Sequence, residues 1–374
     1  MRIINAFFSP VVSVLLTLAL YGIETVKPEK VGLDSAKLKL VDEKMYQLIS
    51  DNRMAGGIVM IARKGKVAHF GTYGMRDRER NLPMRKDTIF RIYSMTKAIT
   101  STAALMLYEE GKLDLNDPLS KFFPPLKKMK VWRDGKLIAP KREATVADLL
   151  RHTSGLTYAW MSNKDIGNAH RQVRLLDRDK PLVPMMNGIE KVPLLFDPGS
   201  DWVYGCSTDV LGGVVEVASE MSLDHFFEER IFKPLKMKDT AFYVEEKKVG
   251  RFAANYNYRN GNLSLKDDPR KSRYLENPIF KSGGGGLCST GTDYMRFLLM
   301  IGNGGNFEGK RYLSKKNVKL MTTNQIPKGG GWVTFGNQVR EGVGFGHGFS
   351  VREKMSSWDP DGRLGEFGWG GAAS

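Results

Sequence analysis

The 374-residue chain has little of what disulfide-rich and metal-dependent proteins need. Its two cysteines, Cys206 and Cys288, are too few for a disulfide framework and have no spacing typical of a metal site. The five histidines form neither an H-E-x-x-H motif nor any close pair, so we predict neither a metal nor another cofactor. No G-x-S-x-G sequence occurs, which excludes the nucleophile elbow of α/β-hydrolases.

The chain also lacks a concentrated basic tract, although its formal net charge is +16. Lysine and arginine are scattered along the whole length, and only short pairs such as Lys127-Lys128 recur. Nucleic-acid-binding surfaces are typically basic stripes or patches, so nucleic acid is not a predicted partner. A content of 41% hydrophobic and 26% charged residues is typical of a globular protein and not of a disordered chain.

The first residues differ from the rest of the chain. Arg2 precedes an apolar run, residues 6–23, in which serine, threonine, proline and glycine are the only interruptions. This pattern predicts a signal peptide or a short membrane anchor over residues 1–24. The protein is therefore expected to be exported, and to be periplasmic, secreted or anchored to the cell envelope. The alternative is a hydrophobic helix that packs on the body of the protein.

Only one serine in the chain, Ser94, has a lysine three residues later. The flanking sequence predicts a strand over residues 87–93 and a long apolar helix over residues 98–110. A helix that begins at Ser94 places Lys97 on the same face, because residues i and i+3 are neighbours on a helix. A serine hydroxyl becomes a nucleophile when a base takes its proton, and lysine can be that base when burial lowers its pKa. The S-x-x-K pattern therefore indicates a nucleophile with its base.

The periodicity of the rest predicts one α/β (α+β) domain, residues 25–374, with two lobes. A helix over residues 35–52 and a hairpin over residues 57–71 begin an α/β lobe, which comprises residues 31–112 and 296–374. Residues 113–295 contain helix-like and loop segments punctuated by proline and glycine, which predicts a mostly helical lobe.

Several separate stretches resemble the serine β-lactamase and penicillin-binding-protein superfamily, and most closely the class C β-lactamase-like carboxylesterases called family VIII esterases. The stretches are residues 90–97 (FRIYSMTK), 149–156 (LLRHTSGL), 198–204, 209–212 (DVLG) and 368–371 (GWGG). The resemblance runs from about Val31 to the last residue. It implies a β-lactamase/transpeptidase-like fold, in which an antiparallel sheet flanked by helices adjoins the helical lobe.

The resemblance also implies a role for each matching residue. Ser94 would be the acylated nucleophile and Lys97 its proton partner. Tyr204, the tyrosine of the second motif, would act with Lys97 as general base and then as acid to the leaving group. The backbone N–H groups of Ser94 and Ala372 would form the oxyanion hole. Trp369, Gly370 and Gly371 match the third motif, so they would line the substrate site. His152 and the turn after it are expected to be structural.

Two departures from the β-lactamase pattern affect the expected substrate. The usual Tyr-x-Asn is replaced by Tyr204-Gly205-Cys206, which removes the amide that contacts an acylamino side chain. Trp369 stands where β-lactamases have lysine or histidine, which removes the cation that would pair with a β-lactam carboxylate. We therefore predict a serine hydrolase that cleaves small carboxylic esters through an acyl-enzyme. A β-lactamase or D-alanyl-D-alanine carboxypeptidase, and a non-catalytic relative that binds a peptide or lipid, are the alternatives.

The resemblance also implies elements beyond the third motif. In this superfamily the Trp-Gly-Gly strand is followed by another strand and a C-terminal helix, whereas this sequence ends at Ser374. We therefore expect the last strand or strands and the C-terminal helix to be missing from this chain, which would expose apolar surface and a strand edge.

Overall fold

The structure, a computed structural model, describes residues 23–186, 188–336 and 338–373. The segment predicted as a signal peptide or anchor, residues 1–24, lies almost wholly outside this part of the chain. Within the described ranges, no helix is both long enough and apolar enough to cross a bilayer. The first described residues join the body of the protein through a parallel bridge between Thr25 and Val67.

A helix that is buried on all sides passes through the centre of the molecule and begins just after Ser94. Residues 96–107 of this helix are all buried, because apolar and small side chains cover its whole circumference. The α-helices of the described residues are α1 (Ser35–Ser50), α2 (Thr96–Glu109), α3 (Val146–Leu150), α4 (Lys164–Val173), α5 (Leu182–Met186), α6 (Ser207–Ser219), α7 (Leu223–Phe227), α8 (Lys233–Leu235), α9 (Gly291–Gly302) and α10 (Lys315–Thr322). The central helix is α2, and it packs against α6 to form the middle of the main hydrophobic core.

The strands form small antiparallel sheets. The described strands are β1 (Gly56–Arg63), β2 (Lys66–Asp77), β3 (Leu82–Pro83), β4 (Ile89–Arg91), β5 (Val131–Arg133), β6 (Lys136–Ile138), β7 (Asn255–Arg259), β8 (Asn262–Asp267), β9 (Cys288–Thr290), β10 (Asn306–Phe307), β11 (Lys310–Arg311), β12 (Thr334–Phe335), β13 (Gln338–Val339), β14 (Val343–Phe345), β15 (Ser350–Arg352) and β16 (Phe367–Gly368). Strands β1, β2 and β3 form one sheet and β14, β15 and β16 another, while β4 pairs with β9. The β4–β9 pair holds the chain that leads into Ser94.

The first helix and the hairpin that follows it lie where the sequence predicts a helix, residues 35–52, and a hairpin, residues 57–71. Asp34 caps α1 by accepting hydrogen bonds from the N–H groups of Ala36 and Lys37. The predicted hairpin is β1–β2, and its tight turn holds Lys64 and Gly65 at positive φ. Among the described residues, β1 pairs along one edge only and α1 has no fully buried residue. The expectation that a further strand and a C-terminal helix are missing stays a prediction.

The predicted strand and helix around Ser94 need a correction at their junction. The strand is shorter than predicted and ends at Arg91, because Ile92 already has helical backbone angles and Tyr93 takes a left-handed φ of 42°. A 3₁₀ turn, Tyr93–Met95, follows, and α2 begins at Thr96. The helix therefore does not begin at Ser94, although the turn runs straight into it and keeps Ser94 one turn before Lys97.

Two elements bear on the predicted lobe boundary between residues 295 and 296. Helix α9 spans that boundary, and β9, which lies in the predicted helical lobe, pairs with β4 of the α/β lobe. The boundary therefore does not coincide with the end of an element. The division into lobes itself stays a prediction.

Candidate active site

The backbone places Ser94 at the mouth of a cleft. The Ile92 N–H donates to the Leu287 carbonyl at 3.0 Å, and the Met95 N–H donates back to the Ile92 carbonyl at 3.0 Å. The turn is therefore tied to the chain that enters β9. Ser94 itself is half-buried, so its hydroxyl can meet both the protein interior and a ligand.

Lys97 is buried beneath Ser94 and is only 1% exposed. Its Nζ lies 3.4 Å from Ser94 Oγ and donates to Tyr158 Oη at 3.1 Å and to the Gly284 carbonyl at 2.6 Å. All three partners are neutral oxygens, so this buried amine forms no direct ion pair. The three hydrogen bonds hold the Lys97 amine directly beneath the Ser94 hydroxyl.

Tyr204 approaches the same hydroxyl from the other side. Its Oη donates to Ser94 Oγ at 2.6 Å, and its ring centre lies 4.7 Å from Lys97 Nζ. Tyr204 lies just before α6, and the neighbouring Val203 N–H donates to the His152 carbonyl at 3.0 Å. The structure thus brings together Ser94, Lys97 and Tyr204, the three residues that the motifs single out.

The residue predicted to be structural, His152, packs directly behind Tyr204. It is 1% exposed, and its ring centre lies 5.3 Å from that of Tyr204. Burial first, and then the positive charge of Lys97, hold the pKa of His152 well below its ordinary value. The ring is therefore a neutral surface against which Tyr204 is positioned.

Tyr158 belongs to the site, although the sequence analysis did not single it out. It is 7% exposed and accepts the hydrogen bond from Lys97 described above. Burial, and then the nearby Asp209 carboxyl, raise the pKa of Tyr158 well above its ordinary value, so it is a neutral phenol. Trp160 stacks on its ring with centres 4.5 Å apart and is 74% exposed in the cleft. Tyr158 lies two residues after the stretch 149–156, and that proximity is the one local signal that could have marked it.

A buried carboxyl group fixes the glycine-rich segment that faces Lys97. Asp209 Oδ1 accepts from the Gly284 N–H at 3.0 Å and from Ser282 Oγ at 2.5 Å. A Cβ at Gly284 would lie 2.3 Å from Asp209 Oδ2, so glycine is required for this approach. Burial raises the pKa of Asp209, while Lys97 opposes that rise. Asp209 therefore positions the Gly284 carbonyl, which in turn holds the Lys97 amine.

The segment that matches the third motif passes along the turn that holds Ser94. Strand β16 pairs with β15, and the chain then reaches Gly371, where a Cβ would lie 2.4 Å from the Ile92 carbonyl oxygen. Ala372 lines the same cavity as Ser94. Gly370, which precedes Gly371, is exposed. The assignment of the Ser94 and Ala372 N–H groups to an oxyanion hole stays a prediction.

Trp369 is placed behind Tyr204 and not in the wall of the cleft that the described residues form. Its ring centre lies 5.2 Å from that of Tyr204 and 5.1 Å from that of Phe345. It also contacts Trp202 and Phe335, so it is part of an aromatic cluster that supports Tyr204. Its predicted contact with substrate stays a prediction.

The cleft over Ser94 has a volume of about 460 Å³ and an aromatic lining. Apolar side chains line most of it, and two arginines, Arg178 and Arg273, lie in its wall. Cys206, which stands in place of the β-lactamase asparagine, points away: it is fully buried and its Sγ donates to the Thr157 carbonyl at 3.4 Å. A larger cavity, of about 660 Å³, contains none of the three motif residues. Among the described residues, no group of three or more histidine, cysteine or acidic side chains could hold a metal.

A known protein family and several characterised or sequenced proteins are similar to this chain. Residues 39–374 match the family described as Beta-lactamase. Protein Rv1367c of Mycobacterium tuberculosis is 34% identical over 328 residues, which are 85% of this chain and 81% of that protein. Esterase EstB of Burkholderia gladioli is 28% identical over 369 residues, with coverage of 93% of this chain and 88% of that protein.

A solved structure shows the same architecture. EstCE1, a hydrolase with promiscuous acyltransferase activity, superposes with a TM-score of 0.75 at 26% identity. The match covers 89% of this chain and 87% of EstCE1. The fold is therefore β-lactamase/transpeptidase-like, as the sequence predicts.

Proposed function

Because the chain belongs to the β-lactamase family, we propose that it hydrolyses small carboxylic esters through an acyl-enzyme formed on Ser94. The family and its esterase relatives identify the chain as an enzyme, either a serine hydrolase or an acyltransferase. One observation carries the finer proposal. The Ser94 hydroxyl lies between Tyr204 Oη, at 2.6 Å, and Lys97 Nζ, at 3.4 Å.

The geometry supports a two-step mechanism. Ser94 Oγ attacks the ester carbonyl carbon while Tyr204, which acts with Lys97 as the general base, accepts its proton. Lys97 stabilises negative charge on the Tyr204 phenol oxygen, because a cation close to a phenol favours its ionised form. The tetrahedral intermediate collapses as Tyr204 returns the proton to the departing alcohol. A water molecule then attacks the acyl-enzyme by the same route and releases the carboxylic acid.

The lining of the cleft favours an ester over a β-lactam. Trp160 and Phe280 offer aromatic surface to an acyl or alcohol group. Cys206 is buried in place of an amide donor, and Trp369 provides no cation for a β-lactam carboxylate. A β-lactamase or D-alanyl-D-alanine carboxypeptidase is therefore the second candidate. A non-catalytic binding relative is the third, and the intact Ser94, Lys97 and Tyr204 arrangement disfavours it.

We expect the purified protein to gain the mass of one phosphonyl group when it is incubated with a fluorophosphonate, as measured by intact mass spectrometry. We also expect it to release 4-nitrophenol from 4-nitrophenyl butyrate and to leave nitrocefin essentially intact, because the cleft lacks the β-lactam contacts. The heat-denatured protein is the control for labelling. Rapid nitrocefin hydrolysis would favour the second candidate, and a folded protein that neither labels nor hydrolyses either compound would favour the third.

We further propose that the protein is exported, on the basis of the apolar residues 6–23 after Arg2. When the full chain is expressed in a bacterium, it should be found in the periplasm, the membrane or the medium. Deletion of residues 1–24 should retain it in the cytoplasm. Fractionation with immunodetection checks this, and a full chain found only in the cytoplasmic fraction would contradict it.

A further inference from the structure

Two arginines, Arg178 and Arg273, line the cleft over Ser94, and the guanidinium groups of both lie near the ring of Tyr274. The Arg178 and Arg273 guanidinium carbons lie 5.7 Å and 5.8 Å from the ring centre of Tyr274. Arg178 Nη2 also donates to the Arg273 backbone carbonyl at 3.0 Å, which holds the two residues together. Tyr274 in turn makes an edge contact with Tyr93, the residue before Ser94, with ring centres 6.3 Å apart. The pair is therefore fixed relative to the nucleophile.

The charges of these two arginines are not neutralised within the cleft. Among the described residues, no carboxylate lies within 4.0 Å of either guanidinium, whereas Arg91, at the same tyrosine, pairs with Asp267 Oδ2 at 2.6 Å. Asp209 is the one carboxyl group among the described residues that line the cleft, and it is buried and bonded to Ser282 and Gly284. The wall thus presents an excess of positive charge to any ligand.

The charges around Arg178 are mixed, with the positive ones dominant. Burial, and then the positive charge of Arg273, lower the pKa of Arg178, whereas the carboxylates of Glu276 and Asp179 raise it less and form no ion pair with it. Lys266 adds a further positive charge, with its Nζ 5.9 Å from the Tyr93 ring centre. The positive charges of Arg178 and Arg273 repel each other, and a bound anion would relieve that repulsion.

We propose that Arg178 and Arg273 form an anion subsite, so that the enzyme favours esters that carry a carboxylate at one end. This inference rests on the proposed ester hydrolysis and names its substrate class. Guanidinium groups bind carboxylates through paired, charge-assisted hydrogen bonds, and both of these groups lie close to the Tyr274 ring at the cleft. The carboxylate can belong to the acyl group or to the alcohol, and the two cases share the same chemistry.

Matched esters test the subsite and identify which end carries the charge. Mono-4-nitrophenyl adipate and 4-nitrophenyl hexanoate differ in an acyl-end carboxylate, while 4-acetoxybenzoate and 4-acetoxybenzamide differ in a carboxylate on the leaving group. For one of the two pairs, Arg178→Gln or Arg273→Gln should lower the charged-to-neutral ratio of kcat/KM by about 10- to 100-fold. The matched control is Arg311→Gln, an exposed arginine of β11 outside the cleft, which should leave both ratios unchanged. Ratios that do not move in either arginine variant would overturn the subsite.

A binding measurement separates this inference from the proposed function. Isothermal titration of monomethyl adipate and 4-acetoxybenzoate into Ser94→Ala protein avoids turnover, and at least one of them should bind more weakly after Arg273→Gln is added. If neutral esters are hydrolysed but neither anion requires the arginines, the subsite is wrong and the hydrolase stands. If no ester is hydrolysed but arginine-dependent binding is seen, the proposed function is wrong and the anion site stands.

Discussion

Replacing Ser94 by alanine should lower kcat/KM for 4-nitrophenyl butyrate by at least about 10⁴-fold and abolish fluorophosphonate labelling, because the proposed acyl-enzyme forms on the hydroxyl that is removed. Tyr204 Oη and Lys97 Nζ both approach this one oxygen, at 2.6 Å and 3.4 Å. Loss of the oxygen leaves the rest of the cleft in place, so the fold and ligand binding should persist. On the same preparation, steady-state kinetics tests the loss of activity, intact mass spectrometry tests the loss of labelling, and thermal unfolding tests whether the fold persists.

Ser101→Ala is a matched control for this substitution. Ser101 lies on α2, about two turns beyond Ser94 along the chain, and is 1% exposed. Its hydroxyl does not line the cleft formed by the described residues, so Ser101→Ala should label and turn over at nearly the wild-type rate. Retention of labelling in the Ser94→Ala protein would place the nucleophile elsewhere and contradict the acyl-enzyme on Ser94.

The part of the site that the sequence predicts is the part that local geometry determines. Ser94 and Lys97 are three positions apart, so a helical turn brings them together whatever the rest of the chain does. Tyr204 lies 110 positions from Ser94, and nothing in its own surroundings indicates the contact. It was found through the family resemblance, which contains tertiary information that a single sequence does not.

The parts that were not predicted depend on long-range contacts. Lys97 meets Tyr158 across 61 positions and the Gly284 carbonyl across 187. A lone tyrosine in a loop and a backbone carbonyl have no periodicity, so no pattern marks them. The pairing of β4 with β9 was missed for the same reason, since both strands are three residues long and β9 is buried throughout.

The junction at Tyr93 shows a second kind of feature that the sequence pattern does not predict, a left-handed backbone conformation. The apolar pattern predicts a strand followed by a helix, but it does not predict a left-handed residue between them. Tyr93 takes that conformation where its hydroxyl accepts a hydrogen bond from Asn255 Nδ2 at 2.9 Å and its ring meets Tyr274. Tertiary contacts support a backbone conformation that costs about 1 to 3 kcal/mol in isolation, and such positions are frequent at functional sites. The sequence pattern does not predict the turn that separates Ser94 from the helix, because local propensity does not include these contacts.

Lys97→Met should lower kcat/KM for the same ester by about 10²- to 10⁴-fold, because the group that shares the Ser94 proton with Tyr204 is lost. Methionine has a similar length and suits a site that is 1% exposed. The free energy of unfolding should fall by no more than about 1 to 3 kcal/mol, since removal of a buried amine offsets the loss of its bond to the Gly284 carbonyl. Kinetics and denaturant unfolding, measured side by side, separate the loss of catalysis from the loss of stability.

Lys97→Arg distinguishes a base from a fixed positive charge. Arginine keeps the charge beside the Tyr204 ring but remains protonated, so it cannot accept the Ser94 proton at neutral pH. If Lys97 acts as a base, both variants should be slow and neither should recover as the pH is raised towards 9. If Lys97→Arg is instead nearly as active as the wild type while Lys97→Met is slow, Lys97 serves only to stabilise the Tyr204 phenolate, and Tyr204 alone is the base. The long distance of 3.4 Å from Lys97 Nζ to Ser94 Oγ, against 2.6 Å from Tyr204 Oη, makes this the decisive comparison for the order of proton transfer.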